Sequence, residues 1–116
     1  MSQARANRIG VAQIGVGYWG PNLLRNLFSS PLFSVELVIE KDPDRRRFVK
    51  QLYPGIPVCS DISVALDDKN VQAVVIATPV ASHLSLGLQV LDAGKHILVE
   101  KPMALRLDDA DAMIKA

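Results

Sequence analysis

Short runs of apolar residues alternate along this chain with longer segments in which apolar residues recur every three or four positions. The short runs are predicted to be strands, and they lie at 9–14, 35–40, 57–59, 71–77 and 96–99. The longer segments are predicted to be helices, and they lie at about 20–29, 43–52, 62–66, 82–93 and from 107 onward. Nearly continuous apolar strands separated by helices are typical of a parallel sheet that is covered on both faces. The pattern therefore predicts an α/β fold, with a doubly wound parallel sheet in a three-layer α/β/α arrangement.

Polar residues and glycine mark where several of these helices begin and end. Asp42 and Pro43 are predicted to be the N-cap and the first residue of the second helix, since Asp accepts a backbone N–H and Pro lacks one. Asp61 is predicted to cap the short third helix. Gly94 is predicted to end the fourth helix in a left-handed conformation.

The sequence Gly15-Val16-Gly17-Tyr18-Trp19-Gly20 lies between the first strand and the first helix and matches G-x-G-x-x-G. In that position the motif is typical of a dinucleotide-binding, Rossmann-like fold. Gly15 would permit the tight turn, Gly17 would let the backbone approach a pyrophosphate, and Gly20 would let the helix pack closely on the strand. Taken alone the motif is weak evidence, since glycines also recur in turns for purely conformational reasons.

An acidic residue, Glu40, ends the second strand at the distance from the glycine motif where a carboxylate commonly binds the ribose of NAD. Lys41 and the three arginines at 45–47 follow it. Such a charge run is usually a solvated helix face, but an arginine here would also suit the 2′-phosphate of NADP. Because Glu40 would repel that phosphate, NAD is the predicted cofactor, with NADP as the alternative.

Two proline-containing segments follow strands at the edge where ligands bind in open α/β sheets. Thr78 and Pro79 follow the fourth strand, and the Thr78 hydroxyl either points toward a cofactor or belongs to a simple turn. Glu100 and Lys101 follow the fifth strand. Lys101 either hydrogen-bonds a substrate hydroxyl beside a nicotinamide or forms an exposed ion pair with Glu100. Its place after a strand of a dinucleotide-binding fold favours the first interpretation.

Histidine and cysteine are too sparse to predict a metal site. His83 and His96 do not have metal-ligand spacing, and Cys59 has no partner cysteine. His83 lies in the first turn of the fourth helix, where it either approaches the cofactor, orients the preceding loop or hydrogen-bonds to the backbone. His96 begins a strand and is predicted to be structural.

Size, charge and hydropathy exclude several classes of protein. The 116 residues suit one domain, which we place at 9–116, after a flexible leader at 1–8. The net charge of +1 gives no basic field that would attract nucleic acid. No apolar run has transmembrane length and the N-terminus has no hydrophobic signal core, so no membrane association and a cytoplasmic location are predicted.

The motifs occur together and in a fixed order, with Ala-Thr-Pro at 77–79, Ala-Gly-Lys-His at 93–96 and Glu-Lys-Pro at 100–102 after the glycine motif and Glu40. In this combination the chain from Ile9 onward resembles the Gfo/Idh/MocA family (glucose–fructose oxidoreductase, inositol dehydrogenase, rhizopine catabolism). The resemblance implies an oxidoreductase that transfers a hydride between a nicotinamide cofactor and a sugar, sugar-nucleotide or polyol hydroxyl. The chain departs from the family pattern at Glu40, where Asp is commoner, and at Arg106, where a Ser or Thr usually caps the last helix.

The resemblance assigns roles to particular residues. It implies a pyrophosphate held by the glycine motif, a ribose at Glu40, a nicotinamide near Thr78 and Pro79, and a catalytic Lys101 positioned beside Glu100. The residues that it assigns to cofactor binding are Gly15, Gly17, Tyr18, Trp19, Gly20, Glu40, Lys41, Thr78, Pro79, His83, Glu100 and Lys101.

Members of the family are much longer than this chain and carry a second, α+β domain that supplies most substrate contacts and the oligomer interface. The chain is therefore expected to be an incomplete cofactor domain, truncated before that second domain, which binds cofactor with little turnover, and the full-length protein is expected to be a homo-oligomer. Two other functions stay open. One is a non-enzymatic regulator that senses NAD(P), and the other is an S-adenosylmethionine-binding domain, in which Ala-Thr-Pro and Glu-Lys-Pro would have no role.

Overall fold

Five parallel strands and five helices make up the part of the chain that the structure, a computed structural model, describes, which is residues 7–17 and 20–116. The strands are β1 (Ile9–Ile14), β2 (Phe33–Ile39), β3 (Val58–Cys59), β4 (Ala73–Ile76) and β5 (His96–Val99). The helices are α1 (Gly20–Ser29), α2 (Pro43–Leu52), α3 (Ile62–Asp67), α4 (His83–Asp92) and α5 (Leu107–Lys115), with a 3₁₀ turn at Val80–Ser82 before α4. The strand order across the sheet is β3-β2-β1-β4-β5, so the direction of winding reverses between β1 and β4.

The hydrophobic core lies on both faces of this sheet. Val75 of β4 belongs to a buried cluster that includes Leu24 of α1 and Val49 of α2. Its neighbour Val74 belongs to a second cluster that includes Val90 of α4. Because successive side chains of a strand point to opposite faces, this alternation requires helices on both sides. The structure confirms the predicted doubly wound, three-layer α/β fold.

All the predicted strands and helices are present, with boundaries that differ by up to two residues. The largest differences are in β2, predicted at 35–40 and observed at Phe33–Ile39, and in β4, predicted at 71–77 and observed at Ala73–Ile76. Backbone pairing nevertheless continues at both ends of β4, because Gln72 N donates to Gly10 O and Ala77 N donates to Ile14 O, each at 2.8 Å. The apolar run at 71–77 therefore predicts the residues whose backbone pairs with β1 better than it predicts where β4 begins and ends.

The predicted caps are also confirmed. The Asp42 side chain accepts a hydrogen bond from Asp44 N at the start of α2, and Asp61 accepts one from Ser63 N at the start of α3, each at 2.9 Å. The backbone hydrogen bond from Ser63 lowers the pKa of the Asp61 carboxyl. Gly94 has φ +78° directly after α4, which is the left-handed conformation that favours glycine.

Helix α5 begins at Leu107 as predicted, and Arg106 at its N-cap makes no side-chain hydrogen bond to the helix. The helix packs on α4 through Met113, which is buried, and Gly87 makes room for it, because a Cβ on Gly87 would lie 2.8 Å from Met113 Sδ. Among the described residues, no helix combines the length and the apolar character needed to cross a membrane.

Lys95 has a structural role that its charge alone does not predict. Its Nζ donates to Asp68 O at 2.9 Å and to Val71 O at 2.6 Å, in the connection between α3 and β4. The side chain thereby holds the backbone that leads into the central strand β4. An ammonium group satisfies these two carbonyls with charge-assisted bonds, which are stronger than neutral ones.

We expect Lys95→Met to lower the free energy of unfolding by about 2 kcal/mol, since hydrogen bonds to charged groups contribute roughly 1.5–3 kcal/mol. Urea denaturation followed by circular dichroism measures the change. Lys69→Met is the matched control, because Lys69 is exposed in the same connection and surface substitutions usually cost less than about 0.5 kcal/mol. Equal losses in the two variants would contradict the role assigned to Lys95.

Candidate functional site

A cleft of about 730 Å³ opens at the carboxyl edge of the sheet, beside the point where the winding direction reverses. Ligands of open α/β folds bind at this position. The predicted site residues that line the cleft are Gly15, Gly17, Glu40, Lys41, Thr78 and Pro79. The structure thus brings together residues that follow three different strands, β1, β2 and β4.

Gly15 and Gly17 of the glycine motif line the cleft, whereas Gly20 is not among the lining residues. Gly15 has φ +94°, and a Cβ there would lie 2.8 Å from Ala77 O, so the tight turn that the sequence predicts requires glycine. Around Gly17 the described residues leave open space, with nothing within 4 Å of an added Cβ. A Cβ on Gly20 would lie 2.9 Å from Gly15 O, so its close contact is with the loop carbonyl. Tyr18 and Trp19, which were also assigned to the cofactor, lie outside the described residues.

Gln13 is a buried polar residue of β1 that the sequence analysis did not single out. Its Nε2 donates to Gly15 O at 3.0 Å and to Gly20 O at 2.8 Å, so one side chain joins the two ends of the glycine motif. Its Oε1 is buried without a hydrogen-bond partner in the described part of the chain. The signal was available, because a glutamine interrupts the otherwise apolar first strand and a buried amide needs partners.

Glu40 contacts the glycine motif directly. Its Oε1 accepts a hydrogen bond from Val16 N at 2.8 Å, and its Oε2 accepts one from Asp42 N at 2.9 Å. The carboxylate is half-buried and lines the cleft. An ionised carboxylate has about four acceptor positions, so these two bonds leave capacity for hydroxyl donors of a ligand.

The three arginines at 45–47 lie in three different environments. Arg46 Nη1 donates to Glu40 O and Lys41 O, each at 2.8 Å, and so holds the turn after β2. Arg47 pairs with Asp44 on the exposed face of α2. Arg45 lines the cleft together with Lys41. The solvated-face interpretation therefore suits Arg47, whereas Arg45 is the arginine within reach of a bound ligand.

Thr78 lines the cleft, and its hydroxyl belongs to a hydrogen-bonded turn, as in the second of the two interpretations considered from the sequence. Its Oγ1 lies 2.6 Å from Ser82 Oγ, and Ser82 Oγ donates to Pro79 O at 2.7 Å. Because the single Ser82 hydroxyl proton is directed at Pro79 O, Thr78 donates to Ser82. The Thr78 oxygen keeps a lone pair for a ligand, but its proton is used within the turn.

His83, Glu100 and Lys101 are not among the residues that line the cleft. His83 is buried at the start of α4, and its ring nitrogens face backbone carbonyls, which is the backbone alternative considered from the sequence. Glu100 N donates to Ile76 O, which places the Glu-Lys-Pro segment beside the end of β4. Lys101 is exposed, and its peptide bond to Pro102 is cis.

Further lining residues come from segments without a recognisable motif, which follow β3, form the 3₁₀ turn before α4, or belong to α4 itself. They are Ser60, Ile62, Ala81, Ser85, Leu86 and Gln89, with Ile14 and Ile39 forming apolar walls at the strand ends. Sequence reasoning could not find them, because only the folded topology brings α3 and α4 to the cleft.

The cleft fits the dinucleotide that the resemblance implies. Its volume lies within the range of roughly 300–1,000 Å³ that is usual for cofactor sites. The open space at Gly17 accommodates close approach of a diphosphate to the backbone, and the Glu40 carboxylate supplies acceptors beside it. Apolar walls next to these polar groups suit an aromatic base.

Comparison with known proteins supports the same conclusion. Residues 9–116 match the family model GFO_IDH_MocA, described as an oxidoreductase family with an NAD-binding Rossmann fold. The scyllo-inositol 2-dehydrogenase (NADP(+)) IolW of Bacillus subtilis is 29% identical over 109 residues, which are 91% of this chain and 30% of that protein.

Two solved structures of similar fold contain nicotinamide cofactors. GenD2 from gentamicin A biosynthesis, in complex with NAD, has a TM-score of 0.86 and 33% identity over 92% of this chain and 30% of its own. The WlbA dehydrogenase from Bordetella pertussis, in complex with NADH and UDP-GlcNAcA, has a TM-score of 0.85 and 27% identity over 93% of this chain and 33% of its own. The chain spans about a third of the length of the curated relatives it matches. On the strength of its fold, its cleft and these matches, the chain belongs to the Gfo/Idh/MocA family of oxidoreductases, whose NAD-binding Rossmann domain residues 9–116 match.

Proposed function

We propose that the chain binds NAD in the cleft and is the cofactor-binding part of an oxidoreductase acting on a hydroxyl of a sugar, sugar nucleotide or polyol. The observation that carries this proposal is the space that the described residues leave at Gly17, beside the Glu40 carboxylate, within one cleft at the carboxyl edge of the sheet. A diphosphate needs close backbone approach, and a ribose needs an acceptor nearby. The residues proposed for both roles lie at the carboxyl ends of the neighbouring strands β1 and β2.

Each part of the cofactor has a matching part of the cleft. Gly17 and the N-terminus of α1 would bind the pyrophosphate, because the N–H groups of a helix's first turn have no partner within the helix and the helix dipole favours negative charge there. Gly15 N and Val16 N are already paired, with Ile39 O and with Glu40 Oε1. Glu40 would accept hydrogen bonds from the adenosine ribose hydroxyls. Thr78 and Pro79 would contact the nicotinamide half.

The charges beside the ribose position favour NAD without excluding NADP. The Glu40 carboxylate repels a 2′-phosphate, whereas Lys41 and Arg45, which also line the cleft, attract it. Glu40 is held against the glycine motif by its bond from Val16 N, so it cannot turn away without breaking that bond. We therefore propose NAD as the preferred cofactor.

Lys101 is the proposed catalytic residue. When bound, the nicotinamide accepts or donates the hydride. Lys101 Nζ would hydrogen-bond the reacting oxygen of the substrate and favour loss of the hydroxyl proton during oxidation. Glu100 would help to orient Lys101 from the preceding position.

The substrate class is proposed from the relatives. One relative is a scyllo-inositol 2-dehydrogenase by name, and the WlbA structure contains a sugar nucleotide. Both relatives are about three times as long as this chain, and we propose that most substrate contacts come from the part that this chain does not span. Since a displacement of ~1 Å can cost ~100-fold in rate, the chain alone is expected to bind cofactor with little turnover.

Calorimetric titration of the chain with NAD and, separately, with NADP tests the proposal. We expect saturable binding of both nucleotides or of NAD alone, with NAD the tighter ligand. Adenosine diphosphate serves as a control for the nicotinamide half, because it retains the ribose and diphosphate contacts. The proposal would be contradicted if the folded chain bound neither NAD nor NADP.

The exposure of Lys101, and its position outside the cleft lining, favour a second candidate, a regulator that senses NAD(P) without catalysis. Such a protein would need the cleft but not the lysine. The two candidates therefore predict the same cofactor binding and opposite consequences of replacing Lys101.

A further inference from the structure

The His83 ring is buried, and its nitrogens contact three backbone carbonyls. Its side chain is 1% exposed, and with Gln13 it is one of the buried polar residues of the described chain. Nδ1 lies 3.0 Å from Pro102 O and 3.2 Å from Met103 O, and Nε2 lies 2.8 Å from Thr78 O. Burying a polar ring is costly unless its nitrogens are hydrogen-bonded, and here both of them have partners.

The three carbonyls belong to two separate segments at the carboxyl edge of the sheet. Thr78 follows β4 and lines the cleft, whereas Pro102 and Met103 follow Lys101 directly. Between β5 and α5 the chain forms neither helix nor strand, so the backbone around Lys101 lacks the regular hydrogen bonds of a secondary structure. The His83 ring therefore joins this irregular segment to the turn that forms one side of the cleft.

We propose that His83 is a positioning residue, which acts through the backbone of Pro102 and Met103 to hold Lys101 at a fixed place relative to the Thr78 turn. The inference rests on the proposed function for the role of Lys101, but the hydrogen bonds that carry it do not involve any cofactor. His83 itself does not line the cleft, so its substitution leaves the cofactor contacts of the glycine motif and Glu40 in place.

The chemistry of the ring explains why histidine suits this position. Carbonyl oxygens only accept, so a ring nitrogen that faces one forms a hydrogen bond when it carries the proton. Imidazole has nitrogens at two separated positions of a rigid ring, one facing Pro102 O and the other facing Thr78 O, and the tautomer decides which of them donates. Glutamine has a single amide nitrogen and can retain one side of the bridge, and phenylalanine has no donor. His83→Gln therefore removes part of the bridge, and His83→Phe removes all of it.

The first measurement is nuclear magnetic resonance relaxation of the backbone amides of Lys101 and Met103 in the chain. In the unsubstituted protein we expect order parameters near ~0.85, the value of a rigid backbone, and in His83→Phe we expect values below ~0.6. His83→Gln is expected to give an intermediate result, which keeps the test available if the phenylalanine variant does not fold. Val90→Ala is the control, because Val90 is buried on the same helix and its side chain belongs to the hydrophobic core.

The second measurement is acetylation of Lys101 by an amine-reactive reagent, followed by mass spectrometry, with and without saturating NAD. We expect NAD to slow the acetylation severalfold in the unsubstituted protein and in Val90→Ala. In His83→Phe we expect this protection to be lost although calorimetry shows NAD still bound, with partial recovery in His83→Gln. A merely structural role would lower stability in His83→Phe and Val90→Ala alike without this selective loss.

The outcomes separate the two proposals. If Lys101 and Met103 stay as rigid in both His83 variants as in Val90→Ala, the positioning role is wrong. If the segment loosens but NAD never protects Lys101 in the unsubstituted protein, His83 still holds the segment, and the placement of Lys101 beside the bound nicotinamide is wrong.

Discussion

Replacing Gly17 with alanine is expected to weaken NAD binding roughly 5- to 150-fold while leaving the fold intact. In the described structure nothing lies within 4 Å of the added Cβ, and Gly17 is not in the left-handed region, so the free protein accommodates alanine. The methyl group would instead occupy the space proposed for the pyrophosphate. Forcing an extra methyl into a filled site costs about 1–3 kcal/mol, which corresponds to that range of affinity. Calorimetry measures the affinity, and thermal unfolding checks that the variant folds.

Gly55→Ala is the matched control for this variant. Gly55 also has nothing within 4 Å of an added Cβ and lacks a positive φ, but it does not line the cleft. It should bind NAD like the unsubstituted protein. A Gly17→Ala protein that is folded and binds NAD with unchanged affinity would show that no pyrophosphate passes over Gly17.

Replacing Lys101 with alanine is expected to reduce turnover by the intact protein about 10²- to 10⁴-fold, the usual contribution of a positioned acid–base group. The affinity for NAD should change little, because Lys101 does not line the cleft. Initial rates of NAD reduction give kcat and KM, and calorimetry gives the cofactor affinity. A loss confined to kcat would indicate an interaction made in the transition state.

Lys69→Ala is the control for charge, since Lys69 is exposed and precedes β4 at the amino edge of the sheet, away from the cleft. Its turnover should match that of the unsubstituted protein. Equal turnover in Lys101→Ala and Lys69→Ala would contradict the enzyme proposal and favour the regulator that senses NAD(P).

Local patterns were sufficient for the elements of the fold. The caps at Asp42 and Asp61 and the left-handed Gly94 depend on contacts within two or three residues, so the sequence contains the whole interaction. Strand ends were predicted less accurately, as in β4, because a strand ends where the neighbouring strand no longer supplies hydrogen-bond partners. That information lies elsewhere in the chain.

The candidate site was predicted in part, and here too the residues of local motifs were found while those with distant partners were missed. Gly15, Gly17 and Glu40 belong to motifs whose spacing is set by one strand, one turn and one helix, and the structure brings them to the same cleft. Gln13 was missed because its partners, the carbonyls of Gly15 and Gly20, become neighbours only when the loop closes. The role of Lys95 was missed for the same reason.

The sequence by itself therefore determined the α/β class, the order of the elements and several motif residues that line the cleft, because these depend on periodicity and on short-range spacing. Only the tertiary structure decided which polar side chains tie the site together. Glu40 accepts from Val16 N across a separation of 24 residues, and His83 contacts Pro102 O across a separation of 19. Such contacts form where parallel strands bring their carboxyl ends to one edge, and a buried polar group there is stable only if the fold supplies its partners.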